Sequence, residues 1–196
     1  LCRLVRADID RLRGAGCRRI LIACGTASSI YDRLPVGYRL HTYPILAPTA
    51  KRAARVTKNG RIGILATEAT VRIGALAGEV KKENPSLTLF PVAASPLVTL
   101  VEEGHTSDRD PIAKRAVREA LAPFSGCGID TLILGCTHFP RLSALIRREM
   151  PGVHLVSASE EGARALIDAL PPEEAAGGAR LLFLKEPSGE ESPVKK

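Results

Sequence analysis

The chain has 196 residues, with 28 Lys and Arg against 21 Asp and Glu, five Cys, one Met and no Trp. With 45% apolar and 25% charged residues it has enough Leu, Ile, Val and Ala for a core, which excludes a disordered chain. No apolar run reaches the roughly 18–20 residues of a membrane helix, and the charged opening LCRLVRADIDRLRG is not a secretory signal.

In chain order, the pattern predicts an amphipathic helix over 2–14 and a buried parallel strand in RRILIACG, 18–25. A helix over 26–34 follows, with Thr26 near its N-cap. Then come a strand over 38–45, a helix over 48–58, a strand over 61–67 and a helix over 69–83. A strand over 87–95 precedes a short helix over 96–103 and a longer one over 109–122. DTLILGCT, 130–137, reads as a strand, and 140–150 as a helix with Pro140 in its first turn. A strand over 153–159, a helix over 160–170 and an edge strand in ARLLFLK, 179–185, complete the reading. Alternating strands and helices predict an α/β fold with mostly parallel sheet, whose ligands sit at the carboxyl ends of the strands.

Charge is uneven. Residues 1–61 carry 13 Lys and Arg against 3 Asp and Glu, and the remainder 15 against 18. A basic first third suits an anionic small molecule, a nucleic acid or an acidic partner. Aromatic residues number only seven in the whole chain, too few to suggest base-stacking surfaces, so nucleic acid is not expected. The simpler reading is a solvated arginine face around a helix and a strand. Five cysteines without a C-x-x-C predict neither a disulfide framework nor structural zinc, and they point to a reducing cytoplasm. The only methionine is Met150 and residue 1 is leucine, so the chain reads as a fragment or a processed product.

The informative feature is a repeat. At an offset of 112, ILIAC (20–24) aligns with LILGC (132–136), and Gly16 aligns with Gly128. Each copy is an apolar strand ending in cysteine, followed by small or polar residues and a helix. One such cysteine is ordinarily a small buried apolar residue. Two at equivalent places suggest two thiols facing one cleft. Inverting a stereocentre by proton transfer needs a base on one face and an acid on the other. A thiol, with its reference pKa of about 8.5 lowered at a helix N-terminus, suits both roles. The adjoining N–H groups, with the Thr26 and Thr137 hydroxyls, suit a carboxylate. RIGILATEAT repeats this arrangement with Thr67 and Thr70. His138 is placed to tune Cys136 or to donate to substrate, and Glu102 or Glu103 to pair with it. The other histidines are scattered, so no metal cluster is expected.

At these residues the chain resembles the glutamate racemases of the aspartate/glutamate racemase family. IACGTAS (22–28) is similar to the first cysteine motif and LGCTHFP (134–140) to the second. RIGILATEATV and SPLVTLVEEG fall between them in the family's order, and PGVHLVSASEEGARAL resembles its final strand and helix. The resemblance implies a cytoplasmic isomerase that interconverts L- and D-glutamate for peptidoglycan without pyridoxal phosphate or metal. It makes Cys24 and Cys136 the proton carriers. Gly25, Thr26, Thr67, Thr70, Thr137 and His138 become substrate-pocket residues, and Glu102 the histidine's acidic partner. It also implies two pseudo-symmetric α/β domains around a cleft, 1–48 with 157–196 and 49–156, and leaves a homodimer open.

Departures from the family pattern are specific. The opening strand with Asp-Ser-Gly and the following Tyr-Gly loop have no counterpart here. Gly25 stands where the family usually carries Asn, and Ile73 and Leu76 where it carries Ser and Tyr. The chain alone is therefore expected to lack contributions to catalysis and to leave a sheet edge unpaired. Two other readings stay open: racemisation of aspartate or another amino acid by the same thiols, and a non-catalytic anion- or nucleic-acid-binding module.

Overall fold

The computed structural model of the protein describes residues 1–171. The predicted edge strand 179–185 lies outside them. Two parallel sheets carry the architecture. The smaller pairs β1 (Ile20–Ile22) with β2 (Thr42–Pro44). The larger contains β3 (Arg61–Ala66), β4 (Thr88–Ala93), β5 (Thr131–Leu134) and β6 (His154–Ser157), in spatial order β4-β3-β5-β6. Every strand pair is parallel, so β3 and β5 present their carboxyl ends on one edge.

The larger sheet is covered on both faces, which is why β3 and β5 are continuous apolar runs. Ile62, Ile64, Ala66 and Ile133 face a cluster with α4 (Leu46–Val56), α6 (Ala75–Glu83) and α10 (Ala158–Asp168). Leu65, Leu132 and Leu134 face the opposite cluster with α7 (Pro96–Glu102), α8 (Pro111–Leu121) and α9 (Ser143–Glu149). Pro91, which has no N–H for a ladder, sits in the edge strand β4. A third cluster joins α1 (Cys2–Gly14) to β1 through Val5, Ile9, Ile20 and Ile22.

Four elements differ from the sequence expectation. The helix predicted over 140–150 opens as a 3-10 turn at Phe139–Leu142, with α9 starting only at Ser143. The helix predicted over 69–83 breaks at Gly74, where φ of 72° ends α5 (Glu68–Ile73) in the left-handed conformation and α6 begins. The helix predicted over 26–34 is only α2 (Gly25–Ser28), followed by a 3-10 turn at Tyr31–Arg33. The strand predicted over 38–45 opens instead as the short helix α3 (Val36–Arg39). Tertiary contacts override strand propensity there. Arg6 and Arg13 both stack on the Tyr38 ring, and Arg13 donates to the Gly37 and Leu40 carbonyls at 2.9 Å. Two arginines of the basic first third thus work as a latch.

The repeat extends beyond the cysteine strands. The same offset carries β2 onto β6 and Leu46 at the start of α4 onto Ala158 at the start of α10, each helix being 11 residues long. Gly16 and Gly128 share a positive φ, 89° and 61°. The two equivalent helices pack against each other. A Cβ on Gly162 would collide with Ile45, so that glycine lets α10 seat closely on the start of α4.

At the opposite edge of the sheet, Asp130 ties the chain together before β5. Burial opposes its ionisation, but four donors outweigh it and hold the carboxyl below its ordinary value. They are Thr57 Oγ1 at 2.7 Å, the Lys58 and Asn59 amides at 2.6 and 2.7 Å, and Thr131 Oγ1 at 2.9 Å. Asp130→Ala is expected to cost roughly 2–3 kcal/mol, the worth of hydrogen bonds to a charged acceptor. A depressed carboxyl stabilises the fold above its unfolded pKa of about 3.9, and that contribution disappears as pH falls through the folded value. The gap between the urea midpoints of wild type and variant should therefore narrow as pH falls through the folded value, and equal midpoints at pH 7 would contradict this role.

Candidate active site

Three strand ends converge. β1 leads into Cys24, β3 into Thr67 and β5 into Cys136. Cys24 is the N-cap residue of α2, with extended backbone and an exposed side chain. Cys136 is 8% exposed and belongs to the larger core. The two motifs touch through glycine. A Cβ on Gly25 would fall inside contact distance of the Gly135 carbonyl oxygen, so the residue after one cysteine seats on the residue before the other.

The threonines meet as expected. Thr26 lies near the N-cap Cys24, inside α2, and its hydroxyl is 2.9 Å from Thr67 Oγ1 and 3.2 Å from Thr70 Oγ1. Thr67 and Thr70 are 2.9 Å apart in turn, closing a triangle of three hydroxyls. Thr67 also caps α5, accepting from the Thr70 amide. The Glu68 amide is taken by Ser95 Oγ at 2.9 Å, a partner that no spacing in the sequence indicates.

On the other side, Cys136 Sγ lies 3.7 Å from His138 Nδ1, and His138 Nε2 lies 3.4 Å from Glu102 Oε1. A proton on Nε2, directed to Glu102, leaves Nδ1 with a lone pair for the thiol. Thr137, between them, is half-buried. The expected lowering of the second thiol is not found. Burial pushes the Cys136 thiol up, the His138 amide pulls it down, and the Cys24 and Glu102 charges push it up again. Residues 139–142 form a 3-10 turn, so Cys136 does not cap an α-helix, and desolvation wins.

The sequence reading missed two positioning residues. Ser28 Oγ donates to the Ile22 carbonyl and accepts from the Ile45 amide, tying α2 to β1 and to the approach to α4. The role of Gly135 is a backbone contact with Gly25 across the chain, which no side-chain pattern marks. Among the described residues, no three His, Cys, Asp or Glu side chains gather to hold a metal. No helix among them is long and apolar enough to cross a membrane.

A covered parallel sheet with cysteines at two repeated strand ends defines an α/β protein. The profile of the Asp/Glu/Hydantoin racemase family matches residues 2–166, and the chain belongs to that family. It is 43% identical over 159 residues to a glutamate racemase of Desulforudis audaxviator, covering 80% of this chain and 58% of that protein. A glutamate racemase isoform of Bacillus anthracis superposes with a TM-score of 0.79 at 27% identity, covering 89% of this chain and 65% of that one. The Escherichia coli glutamate racemase, solved with L-glutamate and an activator, gives a TM-score of 0.68 at 25% identity over 87% of this chain and 66% of that one. The chain thus spans about three-fifths of the length of the curated relatives it matches.

Proposed function

We propose that these residues carry the two-thiol machinery of a glutamate racemase that acts without a cofactor and supplies D-glutamate for peptidoglycan in the cytoplasm. The observation that carries this reading is the meeting of the two cysteine motifs at the Gly25–Gly135 contact. In this reading, residues 1–48 with 157–171 and residues 49–156 are the two halves that face each other across the site.

The chemistry is a proton taken from one face and returned to the other. One cysteine, as thiolate, removes the α-proton of glutamate. The other, as thiol, protonates the opposite face of the resulting carbanion, and the pair ends with its protonation states exchanged. The carbanion's charge spreads into the α-carboxylate. The hydroxyls of Thr26, Thr67 and Thr70, which here satisfy one another, can each turn a proton toward that carboxylate, and Thr137 donates from the Cys136 side. Glu102 orients His138, whose Nδ1 takes up and returns the Cys136 proton.

The pair must hold one proton between its two sulfurs, so its pH profile belongs to both residues. Cys136 is buried beside Cys24 and Glu102, which makes the second ionisation of the pair difficult. The basic limb of kcat/KM is therefore expected above the ordinary thiol value of about 8.5. A limb below that value would show that burial does not hold the second proton.

The direct test is α-proton exchange of L- and D-glutamate in D2O followed by NMR. It is applied to residues 1–196 and to the full-length gene product containing them, with aspartate in parallel. Exchange with inversion of glutamate is expected in the full-length product. Its absence from a folded protein, or faster exchange of aspartate, would overturn glutamate as the substrate.

A further inference from the structure

The Gly25–Gly135 contact has a directional character. Gly135 is fixed: its amide donates to the Leu65 carbonyl at 2.8 Å inside the large sheet. A Cβ on it would already crowd Leu76 Cδ2, Ala66 Cβ and the Leu65 carbonyl at 3.0, 3.1 and 3.3 Å. Cys136, next in the chain, is locked in the larger core with Phe139 and Leu142. On the other side, α2 is one turn long and is held by side-chain bonds from Ser28, Ser29 and Thr26. Cys24 precedes it and is exposed. An atom forced between the two glycines meets backbone on the Gly135 side, so rotating a side chain cannot relieve it. The one-turn helix has to give way.

Resting on the two-thiol reading above, we infer that Gly25 is a positioning residue. Its bare Cα, seated on the Gly135 carbonyl, sets the gap between the Cys24 and Cys136 thiols, and any side chain at position 25 widens that gap by moving Cys24. The family's usual Asn would not fit this seating. The departure at Gly25 therefore brings the two motifs closer together than a residue with a side chain allows, and it does not simply delete an amide.

The test measures the gap directly. In a background with Cys2, Cys17 and Cys127 replaced by serine, bis-methanethiosulfonates with methylene, propylene and hexylene spacers are allowed to bridge Cys24 and Cys136. Wild type is expected to bridge fastest with the shortest reagent. Gly25→Ala and Gly25→Asn should slow that reagent at least about tenfold and shift the optimum to a longer spacer. Gly78→Ala, where an added Cβ meets nothing within 4 Å, should behave as wild type. A displacement on the order of 1 Å at the reacting groups also predicts about a 10²-fold fall in kcat/KM for Gly25→Ala in the full-length product. Unchanged bridging in a folded Gly25→Ala protein overturns the inference. So does a wild type bridged best by the hexylene reagent, a result that needs no variant to fold. No racemisation by the wild-type full-length product, with the spacer shift intact, would overturn the enzymatic reading and leave the role of Gly25 standing.

Discussion

Cys136→Ser in the full-length product is expected to lower inversion of glutamate by at least about 10³-fold, and Cys24→Ser to do the same. A serine hydroxyl is too weak an acid to be ionised at neutral pH, so each variant loses one proton carrier and keeps the other. The surviving thiol still reaches one face of the substrate. Each single variant should therefore exchange the α-proton of one enantiomer with solvent without inverting it, and the two variants should favour opposite enantiomers. The double variant should do neither. Their effects should not add, because removing either carrier already stops inversion. Cys24 is exposed, so its replacement should leave the melting temperature near wild type. Cys136 is buried, so its variant requires the folded fraction to be measured alongside activity. Equal washout of both enantiomers by either single variant would rule out opposed thiols.

His138→Asn is expected to reduce kcat about 10²-fold, the lower end of a general acid–base contribution, with a smaller change in KM. The ring lies 3.7 Å from the buried Cys136 thiol, and asparagine keeps a polar group while losing the nitrogen that can take up a proton. Glu102→Gln should cost about tenfold or less. Its carboxylate reaches His138 at 3.4 Å, and its side chain is 62% exposed, where such pairs are weakened by water. The order of the effects is the test. Glu102→Gln should add little once His138 is already asparagine. A Glu102 variant as damaging as the His138 variant, or additive with it, would mean that the carboxylate acts on substrate by itself.

Much of the site can be read in the sequence because its residues follow buried strands. The runs ILIA, RIGILA and TLILGC are recognisable without a partner, and whatever follows a parallel strand lies at the sheet's carboxyl edge. That places Thr67 and Cys136 on one edge from pattern alone, and the repeat puts Cys24 at the equivalent strand end of the smaller sheet. Local signals failed where long-range contacts decide. The backbone around Tyr38 turns helical because two arginines from α1 grip the ring and the neighbouring carbonyls. Gly74 breaks a helix that its neighbours favour, and a glycine within a helical pattern looks the same whether it is tolerated or required. The direction of the Cys136 shift depends on how deeply the strand end is buried, which spacing does not encode. The contact between Gly25 and Gly135 joins residues more than a hundred positions apart through a hydrogen and a carbonyl, and no side-chain pattern marks it.

The strand order β4-β3-β5-β6 has a consequence for synthesis. As the chain leaves the ribosome, β3 can pair with β4, but its other edge stays open until β5 emerges at residues 131–134. Non-local parallel pairing of this kind is slow and leaves an unpaired edge exposed in the nascent chain. β5 closes that edge and, two residues later, delivers Cys136. The sheet therefore cannot be completed without assembling the second half of the site. A nascent chain stalled before β5 would display only the Cys24 side, with no partner sulfur and an edge that invites chaperone binding.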